Sequence, residues 1–344
     1  MSEDITRRKL MRVGAGATAL GAVGSLSGCS AIQDLIPGGG GAGISSYSNW
    51  VYEPDTFESD AEGINVFAFS TKKALSNSGN LNEDFLLSLK SNSSRQLGIR
   101  AENINMGMSV PDGSIVTGSF DTESIKAELE SSRETPTESG FGSNDDSTAG
   151  YEYESETTHE GYEIYVRADQ EEPGRAYAIG DGTIVQGNRV SNDGNESDSV
   201  SAEDVAKGII DTGESGDNRL VDNNEEFKTL VDSTDKGVSI SLDLYDDEVG
   251  SEDGPDEDVR SREFDGLIGY GQADTFNGDT TKIQYVFVFG SEGDVNEGDI
   301  EEWVEANDTG EGNLSELRDI KINTDGNTAT VTGKIDTIEY DFSY

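Results

Sequence analysis

Hydrophobic and polar positions along the chain alternate in short bursts rather than long periods. Val238, Ile240, Leu242 and Leu244 are apolar at every second place, which predicts a strand over 238–245 with one buried face. Residues 285–289 form a continuous apolar run and predict a buried strand over 283–289. Further strands are predicted over 103–110, 114–120, 162–167 and 264–273. Asp181-Gly182 and Asp325-Gly326 each stand between apolar arms and predict tight hairpins, because both turn positions want positive φ. Asn82 leads through Glu83 and Asp84 to Phe85, Leu86 and Leu89. Asn224 leads through Glu225 and Glu226 to Phe227, Leu230 and Val231. Both predict short helices whose acidic first turns suit the helix dipole. Helices are also predicted near 122–131 and 299–306. Another is predicted over 201–210, where Ser201 and Asp204 make a capping box.

Short strands mixed with short helices, without regular strand–helix–strand spacing, predict an α+β fold with mainly antiparallel sheets. The markers recur: Phe85 to Asp181 spans 96 residues and Phe227 to Asp325 spans 98. The helices do not recur at matching offsets, since Ile125 lies 56 residues before Asp181 and Trp303 only 22 before Asp325. Polar inserts at 134–150 and 246–262 would account for the mismatch. The halves are therefore either a duplication or two unrelated α+β units sharing turn chemistry. The division read from the chain is 1–28 as a leader, 29–46 as a tether and 47–190 as the first half. Residues 191–200 then form a polar linker and 201–344 the second half.

Charge changes the picture. The 344 residues carry 70 Asp and Glu against 24 Lys and Arg, a net charge of −46. Such a surface repels nucleic acid and anionic membranes as a whole. It also opposes compaction in dilute buffer, whereas at ~1 M salt the screening length falls to roughly 3 Å. Dispersed acid of this kind belongs to proteins that stay hydrated in brine. Intrinsic disorder is the rival reading of the composition, and the apolar alternation decides for a folded body.

The amino terminus reads as an address. Arg7-Arg8 lies in a basic segment, residues 13–26 are apolar and small, and Leu26-Ser27-Gly28-Cys29 ends the stretch. Fourteen residues are too few for a membrane-spanning helix, which needs about 20. Arg7-Arg8 with Leu10-Met11 resembles a twin-arginine export signal, and Leu26-Ser27-Gly28-Cys29 resembles a lipobox. Together with the acid excess, the chain resembles the twin-arginine-exported lipoproteins of haloarchaea. That resemblance implies export of the folded protein, removal of residues 1–28 and a lipid on Cys29. The body would then stand on the outer face of the cell membrane. Cys29 is the chain's one cysteine, so no internal disulfide can form. Gly38 to Gly43 formally matches a dinucleotide fingerprint but follows a cleavage site rather than a strand, and reads as the tether.

Candidate chemistry is sparse. His159 is the single histidine, so a His-based zinc cluster is excluded, and no Gly-x-Ser-x-Gly elbow exists for a triad. His159 reads as a solvated loop residue and no residue is assigned as catalytic. Trp303 is spaced with Ile300 as a core residue, and Trp50 reads as packing down the first strand. Asp294, Asn296 and Glu305 match three EF-hand positions, but Asp299 stands where that loop needs Gly. Asp246, Asp247, Asp253 and Asp256 belong to an acidic loop able to gather Ca²⁺ or Mg²⁺ loosely, and no other cofactor is implied. Asn92, Asn195, Asn307 and Asn313 begin glycosylation triplets. The function read from the sequence is a non-enzymatic surface lipoprotein that binds an envelope protein or small molecule, or organises the envelope. A transporter's solute-binding lipoprotein and a carboxylate-based hydrolase are the alternatives.

Overall fold

The computed structural model describes residues 44–57, 63–93, 97–131, 153–170, 173–190, 199–249, 264–308 and 314–340. The fold is α+β and is built on a single twelve-stranded sheet in which all neighbours run antiparallel. In chain order the strands are β1 Ile64–Phe69, β2 Ile104–Val110, β3 Gly113–Gly118, β4 Tyr153–His159, β5 Tyr162–Arg167, β6 Arg175–Gly180 and β7 Thr183–Asn188. They are followed by β8 Ser239–Val249, β9 Leu267–Asn277, β10 Thr280–Phe289, β11 Arg318–Asp325 and β12 Thr328–Asp336. The helices are α1 Thr71–Ser76, α2 Glu83–Ser93, α3 Thr122–Glu130, α4 Ala202–Ile210, α5 Leu220–Asn223, α6 Glu225–Ser233 and α7 Glu297–Asn307.

Across the sheet the order is β11-β12-β10-β9-β8-β1-β2-β3-β7-β6-β5-β4. The two sequence halves thus lie side by side in one sheet, joined where β1 pairs with β8 from Ile64↔Leu244 to Phe69↔Ser239. The hairpin at Asp181-Gly182 forms β6–β7, with Gly182 at φ 72°. The one at Asp325-Gly326 forms β11–β12, with Gly326 at φ 58°. The open edges β4 and β11 carry Glu154 and Glu156, and Arg318, Asp319 and Lys321. Asp319 at φ 56° sits in a register shift. Charge and a bulge both discourage pairing with another chain.

Alternation along the strands divides the apolar residues between two faces. One face carries a core that runs through both halves. It includes Val66, Met106, Val185, Leu242 and Val286, covered by Val205 and Ile209 of α4, Phe227 and Leu230 of α6, and Tyr47 and Trp50 of the 3-10 turn Ile44–Trp50. The helices come close because the strands beneath them offer glycines. A Cβ at Gly187 would strike the backbone of Ala202 and Ala206, and one at Gly113 would strike Ile209. α4, read from the sequence as the start of the second half, therefore lies on first-half strands. Ser201 caps it as expected, its hydroxyl accepting Asp204 N–H at 3.1 Å.

The opposite face carries two separate clusters. Ile125 and Leu129 of α3 cover Tyr153, Tyr165, Tyr177 and Ile184. Ile300 and Trp303 of α7 cover Tyr285, Phe287 and Val331, and the Trp303 ring meets Tyr285 and Phe287 edge to face. Between the clusters this face is mixed: Asn65, Ser109, Ser241 and Asp243 stand with the half-buried Phe67 and Phe69 of β1 on the central strands.

Candidate functional site

The densest polar chemistry on the first face gathers at the end of α4. There the helix widens into a π-helical turn, Asp211–Ser215, and stops at Gly216 with φ 85°. Such turns are rare and recur at functional sites. The Trp50 ring packs against Gly213. Arg219 donates from Nε to Thr212 O at 2.9 Å and from Nη2 to Gly213 O at 2.7 Å, satisfying carbonyls the wider turn leaves open. From the sheet, the β4–β5 hairpin supplies two more links. His159 Nε2 faces Asp211 Oδ1 at 2.6 Å, and Tyr162 Oη donates to Glu214 Oε1 at 2.7 Å. Glu160 at φ 47° and Gly161 at φ 86° make the two-residue turn that sets His159 and Tyr162 opposite each other. Burial, and after it the Glu214 carboxylate, raises the Tyr162 phenol above its ordinary range.

An imidazole held by a carboxylate can take a proton from a neighbouring nucleophile. In this structure the pair fastens the hairpin to the helix end. His159 is thus not the solvated loop residue expected from its polar neighbours. It ends β4, and its side chain is only 28% exposed.

Other carboxylates lie along the strands near the junction. Asp274 on β9 is buried, with Oδ2 accepting the Ser239 hydroxyl at 2.6 Å and the Tyr340 hydroxyl at 2.7 Å, and Oδ1 accepting Gln272 Nε2 at 3.3 Å. Burial pushes its carboxyl upward, and the three donors pull the other way. Asp243 on β8 accepts Asn65 Nδ2 of β1 across the junction at 2.5 Å and is likewise raised by burial. In the β2–β3 turn Asp112 accepts the Tyr52 hydroxyl at 2.9 Å and returns its N–H at 3.0 Å, and burial raises it too.

Arg7, Arg8, Leu26, Ser27, Gly28 and Cys29 lie outside the described residues, as do Asn195, Asn313, Asp253 and Asp256. Asp246 and Asp247 fall in β8, and Asn92 in the last turn of α2. Asn307 is fully buried at the end of α7, its Nδ2 donating to Trp303 O at 2.9 Å, so its nitrogen is out of reach in the folded protein. The EF-hand-like residues serve as local caps. Asn296 Oδ1 accepts Gly298 N–H at 3.1 Å and Asp294 Oδ2 accepts the Ser291 hydroxyl at 2.7 Å. Among the described residues no group of three or more His, Cys, Asp or Glu could hold a metal ion. No helix there is long and apolar enough to cross a membrane. Asp211, Glu214 and Tyr162 were not foreseen; only the Glu160-Gly161 turn hinted that His159 and Tyr162 face each other.

No family model matches the chain, and no curated protein is similar to it. Three solved structures of TP0453 are weakly similar to it, at 9% sequence identity. Crystal form III covers 85% of this chain and 94% of that one at a TM-score of 0.41. Form IV covers 84% and 95% at 0.40, and form I 83% and 94% at 0.38.

Proposed function

We propose that the chain is an exported protein of molar-salt surroundings, anchored by a lipid on Cys29, whose body serves as a binding or envelope-organising module. One observation carries this reading: the single cysteine stands at the end of a lipobox-like tetrapeptide, behind a twin arginine and a short apolar segment. A two-chain lipid there holds a protein stably, because each buried CH₂ contributes about 0.8 kcal/mol. The body's own start agrees. Ile44, Tyr47 and Trp50 are buried in the main core, so the packed body begins at Ile44, inside the 29–46 read as tether, and a pull on the tether falls on packed structure. The polar chemistry described above is spent on fastening elements together, which supports a binding rather than a catalytic role.

A two-lobed solute receptor is less well supported, because such receptors close about a hinge. Here one sheet crosses the junction through the registered β1–β8 ladder. The test is mass spectrometry of the mature amino terminus, together with the fate of Cys29→Ser and of Arg7→Lys combined with Arg8→Lys. Lipid on residue 29, release of Cys29→Ser into the medium and cytoplasmic retention of the double lysine variant are expected. An unmodified thiol in the mature protein would overturn the reading.

A further inference from the structure

We infer that the open middle of the second sheet face holds a site for an organic cation, an alkylated ammonium, received by the Asp243 carboxylate and the aromatic side chains around it. This rests on the binding reading above, to which it gives a ligand class, and is independent of the lipid on Cys29. Asp243 on β8 stands directly across from Asn65 on β1 and from Tyr270 on β9. Residues opposed in this way have Cβ atoms about 5 Å apart. Phe67, which opposes Ser241, lies on the diagonal, and Tyr245 lies two residues along β8 on the same face. Phe67, Ser241, Tyr245 and Tyr270 are half-buried and Asn65 is exposed, so solvent reaches the spot. On one side α7 bounds it. The Tyr270 ring packs on Tyr285 and Phe287, with centroids 6.4 and 5.6 Å away, and Trp303 lies over both. The Tyr270 phenol, raised chiefly by burial, also feels the charges of Tyr285, Asp243 and Tyr245, which places these groups together.

Charge selects a cation for this spot. Asp243 accepts Asn65 Nδ2 at 2.5 Å, and among the described residues no Lys or Arg pairs with it. β1, β2, β3, β8 and β9 contain no Lys or Arg at all. Lys282 of β10 lies on the other face, where it pairs with Asp235. α7 adds five acids and no base. A half-buried carboxylate without a counter-charge is costly to keep ionised, and burial raises its carboxyl accordingly. A cation in contact with it offsets that cost. The protein's charge of −46 draws cations and repels anions. What else faces the spot decides which cation. A hard ion such as Mg²⁺ or Ca²⁺ needs several oxygen ligands, and among the described residues no group of three or more His, Cys, Asp or Glu could hold a metal. Ring faces instead attract ammonium groups, best when the cation sheds its water readily, as alkylation allows. At molar salt long-range attraction is screened, so contact with the rings and the half-buried carboxylate gives the site its selectivity.

The test is equilibrium dialysis of tetramethylammonium against the full-length protein in detergent at molar KCl. One saturable site is expected, with tert-butanol, a neutral molecule of similar size, bound about ten-fold more weakly or less. Asp243→Asn keeps an acceptor for Asn65 and should weaken tetramethylammonium about ten-fold. Tyr270→Leu removes the ring and should weaken it several-fold. Asp222→Asn, exposed on α5 over the other face, should change nothing. Melting curves report whether each variant is folded. The unsubstituted protein gives a reading that needs no variant: saturating the tyrosine ring protons should attenuate the tetramethylammonium methyl signal more than that of tert-butanol. Absence of saturable binding, or of that attenuation, overturns the site. Equal binding of tert-butanol assigns the spot to a neutral ligand and overturns it too. So does equal weakening by Asp222→Asn, which would be the mark of a diffuse ion atmosphere, and so does undiminished binding in folded Asp243→Asn. Mass analysis of residue 29 reads the anchor separately. Lipid on Cys29 without tetramethylammonium binding removes the site alone. An unmodified Cys29 with binding removes the anchor and keeps the site.

Discussion

The two halves of the sheet follow one plan and finish it differently. Each begins with a strand at the junction, β1 or β8. Each then adds a hairpin, β2–β3 or β9–β10, and crosses through a helix on the second face, α3 or α7. Each ends in an Asp-Gly hairpin whose last strand returns beside the hairpin's second, giving β1-β2-β3-β7-β6 and β8-β9-β10-β12-β11. The first half then carries one hairpin more, β4–β5, between its helix and its Asp-Gly hairpin. That insertion accounts for the unequal helix offsets along the sequence. It also supplies His159 and Tyr162 to the π-helical turn after α4, a fastening the second half lacks because its sheet ends at β11. Shared strand order with added elements is what a duplication would leave, and the added hairpin is what brings His159 and Tyr162 to the helix end.

The comparison can be broken first at the junction. Leu242 is fully buried beneath both halves. Leu242→Ala should cost about 2–5 kcal/mol, and the whole body should melt in one transition at a lower temperature. Two calorimetric transitions, one for each half, would show that the sheet is two units in contact. Next come the glycines under the helices. Gly187→Ala pushes a Cβ into the backbone of Ala202 and Ala206 and should cost about 1–3 kcal/mol. Gly269→Ala, under α6, meets the end of the Leu230 side chain at ordinary distance. Its stability should move little, by about 0.5 kcal/mol in either direction.

Smaller still is the fastening. Tyr162→Phe removes one hydrogen bond to Glu214, which then returns to water, and should cost about 1 kcal/mol. The same change should raise proteolysis in the β4–β5 hairpin and leave β9–β12 as protected as before. The smallest effect concerns Asp274. Its carboxyl is raised in the folded state, so the folded protein holds that proton to higher pH than the unfolded one. Its contribution is complete below the ordinary carboxylate range and is lost as pH rises through the raised value. Melting curves across that interval should show a shallower loss of stability with rising pH for Asp274→Asn than for the parent. An unchanged slope would mean that Asp274 is ionised at no cost.

Much of the fold was legible in local pattern. The alternation from Val238 to Leu244, the two Asp-Gly turns and the capped starts at Ser201 and Asn224 each put an element where one stands. These signals are carried by a residue and its near neighbours, so they survive without the rest of the chain. β1 was missed, although its Ile64, Val66 and Ala68 line the main core. Six residues between two helices and a polar stretch give too little periodicity to read. The Asn277-Gly278 turn, with Gly278 at φ 69°, was passed over because the apolar run after it drew the strand too late. For the polar groups, sequence reading placed His159 by its polar neighbours, whereas its partner Asp211 lies 52 residues away on a helix end.

By itself the sequence determined the address-like amino terminus, the acid excess, the α+β class and most turns and caps, all of which depend on composition or contiguous residues. Only the tertiary structure decided that the halves share one sheet, that β1 and β8 join them and that Asn307 is sealed in a core. Those outcomes depend on pairing and burial between residues far apart in the chain. A local pattern states which side of an element is apolar; only the packed whole decides whether anything covers it.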